Sequence, residues 1–198
     1  MIAVNAAVNA APVRRRRSMR HTIAYAVLLA TAAANKELDK AIEDNNAAMV
    51  NLALKSGAKA NSVDADGETP LLRAVRKDKS KALKSLLKHK ADLQVVDKAG
   101  YNALHVAAAM GASRSLQVLM TAGLSPFEHS EVDGLAPLHR AVLSGSTDTA
   151  KVLLNAEVPM DQPTKEEVAR TPMELATMND HLEMKGVLEK FSRAKAEL

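Results

Sequence analysis

Self-similarity at a fixed spacing constrains this chain more than any other feature. Four short segments recur: Glu68-Thr69-Pro70-Leu71-Leu72, Tyr101-Asn102-Ala103-Leu104-His105, Leu135-Ala136-Pro137-Leu138-His139 and Arg170-Thr171-Pro172-Met173-Glu174. Their aligned apolar residues, Leu71, Leu104, Leu138 and Met173, lie 33, 34 and 35 positions apart. Stepping back 33 from Leu71 reaches Leu38, which opens a matching unit without the Thr-Pro pair. A second landmark keeps the same phase: Gly57-Ala58-Lys59-Ala60-Asn61, Lys90-Ala91-Asp92-Leu93-Gln94 and Gly123-Leu124-Ser125 begin 33 apart. A period of this length is the signature of stacked supersecondary units.

Each unit reads as helix, turn, helix and loop. Thr69 can cap a helix through its hydroxyl, with Pro70 at the first helical position, where its missing N–H costs nothing. Small residues follow (Ala74, then Val106-Ala107-Ala108, then Ala141-Val142) and let two helices approach closely. Polar turns come next: Asp44-Asn45-Asn46, Lys77-Asp78-Lys79, Gly111, Gly145 and Asn179-Asp180. The second helices then carry apolar pairs, Leu52 and Leu54, Leu86 and Leu87, Val118 and Leu119, Leu153 and Leu154, Val187 and Leu188. Gly57 and Gly123 sit where a left-handed residue closes a helix. One such unit cannot bury its apolar face alone, so the units must stack on one another.

Composition agrees. Apolar residues make up 47% of the chain and aromatics only 2%, so the core is built from small and branched aliphatics. That suits closely spaced helices rather than an aromatic-rich sandwich or barrel. The absence of Cys excludes a disulfide scaffold, an iron–sulfur cluster, a Cys-ligated zinc and a thiol nucleophile.

At these residues the chain resembles the ankyrin repeat family. The hallmark Gly-x-Thr-Pro-Leu-His is matched best at Gly134 to His139 and Gly67 to Leu72, then at Gly100 to His105 with Ala107-Ala108, and Leu54 to Asn61 matches the segment that closes a repeat. The resemblance covers about residues 35–191, in a repeat domain whose five units are about 35–67, 68–100, 101–134, 135–169 and 170–198. It implies an all-α repeat solenoid with short loop or hairpin connections, preceded by a separate N-terminal segment, 1–34. Departures are visible. Lys90 and Glu157 replace the helix-closing Gly, Glu174 stands where the motif has His, and the loops before units four and five are longer by one and two residues.

The resemblance also implies a function: non-covalent protein binding on a concave face built from loop tips and the last turns of the first helices. Carried over by position, the candidate contacts are Glu43, Asp44, Asp66, Arg76, Lys77, Lys98, Tyr101, Met110, Asp133, Leu135, Leu143 and Met178. Read in order, the face runs acidic, basic, then apolar, with Tyr101, Met110, Leu135 and Leu143 expected as exposed apolar groups. An apolar centre beside charge is the composition of a protein interface. The alternative places Met110 and Leu143 between helices as packing. A second reading concerns unit two, where eight cations between Arg73 and Lys90 face only Asp78. Lys81, Lys84 and Lys88 share one helical face. This patch is either a solvated surface or a contact for an acidic protein, phosphate or a nucleic-acid backbone. No aromatic interleaves it, which disfavours base stacking on single strands and makes nucleic acid the weaker partner.

Catalysis finds no support in the motifs. There is no phosphate loop, no Gly-x-Ser-x-Gly and no His-Glu-x-x-His. Glu128-His129-Ser130-Glu131 are neighbours on one loop and cannot face each other as a triad must. His105, His139 and His181 fall at motif positions where the family uses imidazole to hydrogen-bond neighbouring loops. His21, His89 and His129 lack ligand partners at helical spacing. No metal, cofactor or enzymatic activity is expected, the partner is a protein of unknown identity, and the chain is expected to act as a monomer.

The net charge of +4 is misleading, because Arg14, Arg15, Arg16, Arg17 and Arg20 lie in a segment without acids and the rest of the chain is nearly neutral. The apolar run from Thr22 to Ala34 spans about 20 Å as a helix, short of a hydrocarbon core of about 30 Å, so no stable membrane anchor is expected. A basic stretch, a short apolar stretch and small residues at Ala30 to Ala34 form a secretory-signal pattern, the first of three readings. A mitochondrial presequence is the rival, and a retained tail, placing the protein in cytosol or nucleus, is the third reading.

Overall fold

A computed structural model describes residues 13–165 and 169–197, with side chains from residue 24 onward. The side chains of Arg14 to Arg17, Arg20 and His21, the segment 1–12 and the pair Glu166-Glu167 lie outside the described residues. Ten helices are described: α1 (Val13–Glu43), α2 (Ala47–Lys55), α3 (Pro70–Arg76), α4 (Ser80–Lys88), α5 (Ala103–Ala109), α6 (Ser113–Thr121), α7 (Pro137–Leu143), α8 (Thr147–Asn155), α9 (Pro172–Met178) and α10 (Leu182–Ala196). Among the described residues there is no strand, only an isolated bridge between Val96 and Asn102. The architecture is the expected all-α solenoid. First helices (α1, α3, α5, α7, α9) pack on one another in one layer, second helices in the other, and each unit joins the two.

Local chemistry sets the helix starts. Thr69 Oγ1 accepts from Leu72 N–H, Asn102 Oδ1 from the N–H groups of Leu104 and His105, and Thr171 Oγ1 from Glu174 N–H. Ala136 has no polar side chain, and His139 Nδ1 accepts its N–H instead. The aligned Leu38, Leu71, Leu104 and Leu138 are each at most 1% exposed and form the spine of a single core. Burying each contributes about 1.5–3 kcal/mol. The second helices contribute Val50, Leu83, Leu86, Leu116, Leu119, Leu153, Met184 and Leu188. Leu52 departs from the expected pairing, at 56% exposed, because α2 begins its layer and is packed chiefly by α1 and α4.

The turns repeat a left-handed residue. Asn45, Asp78, Gly111, Gly145 and Asp180, one per unit, all have positive φ. Gly57 and Gly123 also do, and so do their replacements Lys90 (φ 62°) and Glu157 (φ 60°). The backbone thus keeps a conformation that costs a side chain about 1–2 kcal/mol.

The two loop insertions are absorbed at the tips. Asp64 and Asp97 N–H groups donate to the carbonyls of Glu68 and Tyr101, whereas Ser130 and Thr164 N–H groups reach Leu135 and Arg170. The equivalent bond therefore spans progressively more chain, and the units keep their stacking.

α1 runs without interruption across the boundary drawn at residue 34. Residues 24–30 are exposed, including Tyr25, Val27, Leu28 and Leu29. Packing on the solenoid begins at Ala34, and Asn35 Oδ1 accepts from Lys59 N–H at 2.9 Å. Among the described residues no helix is long and apolar enough to cross a membrane.

Candidate protein-binding face

The loop tips are organised by four in-phase acceptors. Asp64 Oδ1 accepts from the N–H groups of Asp66 and Glu68, and Asp97 Oδ1 from those of Ala99 and Tyr101. Ser130 Oγ accepts from Val132 N–H and Thr164 Oγ1 from Arg170 N–H. The N–H of Glu68, with the Arg73 guanidinium, holds the Asp64 carboxyl below its ordinary range despite the opposing effect of desolvation. Sequence reading passed over these residues, although Asp64, Asp97 and Ser130 recur at intervals of 33.

Acids and bases of the first two units pair with one another across this face. Glu43 pairs with Lys77, and Arg73 bridges Asp39 and Asp64. Arg76 meets Glu68 and, at 2.9 Å, Asp97. Burial pulls the Arg73 pKa down, but its two carboxylates outweigh that and raise it. The expected succession of an acidic and a basic zone is therefore a ladder of ion pairs within unit two and between units one and two. Asp44, Asp66 and Lys98 are exposed, and the Lys98 stem lies over Gly67, where a Cβ would meet its Cε at 2.9 Å.

Tyr101 and Leu135 differ from expectation. Tyr101 is half-buried in a cluster: its hydroxyl donates to Asp133 at 3.2 Å, Arg140 pairs with Asp133, and the guanidinium stands 3.8 Å above the Tyr ring. Leu135 is buried, at 6% exposed, and is corrected from a surface contact to a core contact. Its carbonyl accepts from both Ser130 N–H and His105 Nε2, which pins the lengthened tip with the side chain inward. The other apolar candidates are open: Met110 is 51%, Leu143 37% and Met178 62% exposed, on the last turns of α5, α7 and α9 or the adjoining cap.

The histidines hold neighbouring loops. His105 Nε2 donates to Leu135 O at 3.0 Å, His139 Nε2 to Gln162 O at 2.9 Å, and His181 Nε2 to Leu143 O at 3.3 Å. Burial pushes the His105 pKa down against the opposing pull of the Leu135 carbonyl. His129 Nε2 donates to Pro163 O at 3.0 Å, while Ser130 Oγ is engaged with Val132 N–H. Among the described residues no cluster of His, Asp and Glu is arranged to hold a metal.

Lys81, Lys84 and Lys88 lie elsewhere, on the exposed side of α4 in the second layer.

Ankyrin repeats match residues 38–126 in three copies, and a further ankyrin repeat matches 133–165. The human Transient receptor potential cation channel subfamily A member 1 is 28% identical over 157 residues, which is 76% of this chain and 14% of that protein. Neurogenic locus notch homolog protein 1 of Xenopus tropicalis is 30% identical over 154 residues, 77% of this chain and 6% of the other. Dog Inversin is 28% identical over 133 residues, 67% of this chain and 12% of its own length. The chain thus spans a small fraction of each of these relatives. With the family motifs in register across more than half its length and the two-layer stack they produce, the chain belongs to the ankyrin repeat family.

Proposed function

We propose that this chain is a non-catalytic protein-binding module whose partner docks on the concave face formed by the loop tips and the last turns of the first helices. The observation that carries this reading is the row of exposed apolar side chains Met110, Leu143 and Met178 on three successive first helices. They belong to the same face as a polar cluster, Tyr101–Asp133–Arg140, and an ion-pair ladder. Apolar side chains held on short helices, rimmed by groups already paired, are what an interface core requires at low ordering cost. The Tyr101 ring and Asp133 act as the wall of that surface, and Asp66 and Lys98 as its rim.

The test is site-directed photocrosslinking in extract of the source organism. A crosslinker at position 110 or 143 is expected to trap a discrete protein, competed by unlabelled wild type and not by Met110→Asp/Leu143→Asp. Equal competition by that variant, with its helical circular dichroism intact, would refute the site.

A further inference from the structure

The second layer carries an unusual charge pattern. Within residues 47–59, 79–91 and 112–124, which hold α2, α4 and α6, every ionised side chain is Lys or Arg. The ion pairs of the described residues engage Arg73, Arg76, Lys77, Arg140 and Lys151, and none engages Lys81, Lys84, Lys88 or Arg114. Asp78, at the neighbouring turn, is committed to Ser115 N–H at 2.7 Å. Between α4 and α6 runs an open groove with Lys84, Lys88 and Arg114 on its rim and the half-buried Leu87 and Val118 in its floor.

We infer that this groove docks an acidic amphipathic helix of a partner protein, separately from the first-helix face. Two features must be satisfied together. The exposed cations call for carboxylates, and the Leu87–Val118 floor calls for apolar side chains spaced along the same ligand. An amphipathic helix supplies both, with Leu-type residues at i, i+3 and i+7 and acids flanking them. A phosphate backbone answers the cations but offers nothing to the apolar floor, and neither α4 nor α6 contains an aromatic residue on which a base could stack. The two nine-residue walls match about two and a half turns of ligand helix.

The probe is a fluorescein-labelled peptide of about four helical turns with Leu at i, i+3 and i+7 of each stretch and Glu elsewhere. Fluorescence anisotropy is read on the full chain. The expected result is saturable binding that weakens at least about tenfold in Lys84→Glu/Arg114→Glu, and to a smaller extent in Lys84→Ala/Arg114→Ala. It should weaken similarly for a scrambled peptide of identical composition. Met110→Asp/Leu143→Asp should leave it unchanged, which separates this site from the proposed concave one. Absent binding, equal binding of the scrambled peptide, equal affinity of the reversed variant, or tighter binding of duplex DNA or phosphatidylserine vesicles would each overturn the assignment.

Discussion

The two layers carry cations in different ways. In the first-helix layer Arg73, Arg76 and Arg140 are partly buried and each meets a carboxylate from a loop tip or a neighbouring unit. In the second-helix layer Lys81, Lys84, Lys88 and Arg114 are exposed, with no ion pair among the described residues. The lesson is that net charge per unit says little. A cation enclosed between stacked units acts as a cross-link, whereas one on the outer side of a second helix stays available to a ligand.

The largest expected contrast lies between two histidines. His139 is fully buried and joins the start of α7 to the loop after α8 through Ala136 N–H and Gln162 O. His139→Ala should cost about 2–3 kcal/mol in urea unfolding, because it leaves a cavity and removes the partner of the buried Ala136 N–H and of Gln162 O. His89, half-buried in the second layer against Asn51, should cost less than about 1 kcal/mol when changed to Ala. Similar losses at both would erase the distinction.

Next in size is the tip chemistry. Asp97→Ala removes the acceptor for Ala99 and Tyr101 N–H and the partner of Arg76, for about 1–2 kcal/mol. Lys84→Ala should stay within about 0.5 kcal/mol. Equal denaturation midpoints for these two would contradict the layer comparison.

A smaller effect runs the other way. Lys90 occupies left-handed backbone that Gly57 and Gly123 hold without strain. Lys90→Gly should therefore raise the melting free energy by up to about 1 kcal/mol, net of the extra freedom of the unfolded chain. A loss of stability would show that the Lys stem does packing not evident at its surface position.

The gentlest effect is a slope with pH. Burial depresses the His105 pKa below its ordinary value of 6.5, so the unfolded chain takes up a proton that the folded one resists. This contribution is intact above pH 6.5 and is lost as pH falls through the folded value. Urea midpoints between neutral pH and about pH 5 should decline, and His105→Gln should flatten that decline. An unchanged slope would place the acid sensitivity elsewhere.

Much of the site was legible only in part. The positions of Met110, Leu143 and Met178 followed from counting along the repeat, and their exposure agrees with that count. Leu135 was misplaced because, at the lengthened tip, its carbonyl is held by Ser130 N–H and His105 Nε2 and its side chain is buried. The pairing of Lys77 with Glu43 and of Arg73 with Asp39 was invisible, since each joins different units and 34 residues separate the partners. A charge read within one unit cannot reveal what the next unit presents.

By itself the sequence determined the period, the helix starts at Thr69, Asn102 and Thr171, the aligned Leu spine and hence the family. These are local chemistry repeated at a fixed interval, and a repeat shows in one dimension. Only the tertiary structure decided which cations are cross-links and which are free, where Leu135 points, and that α4 and α6 enclose a basic groove. Those properties belong to the contacts between stacked units, where the side chains that meet are set by the geometry of stacking rather than by their order in the chain.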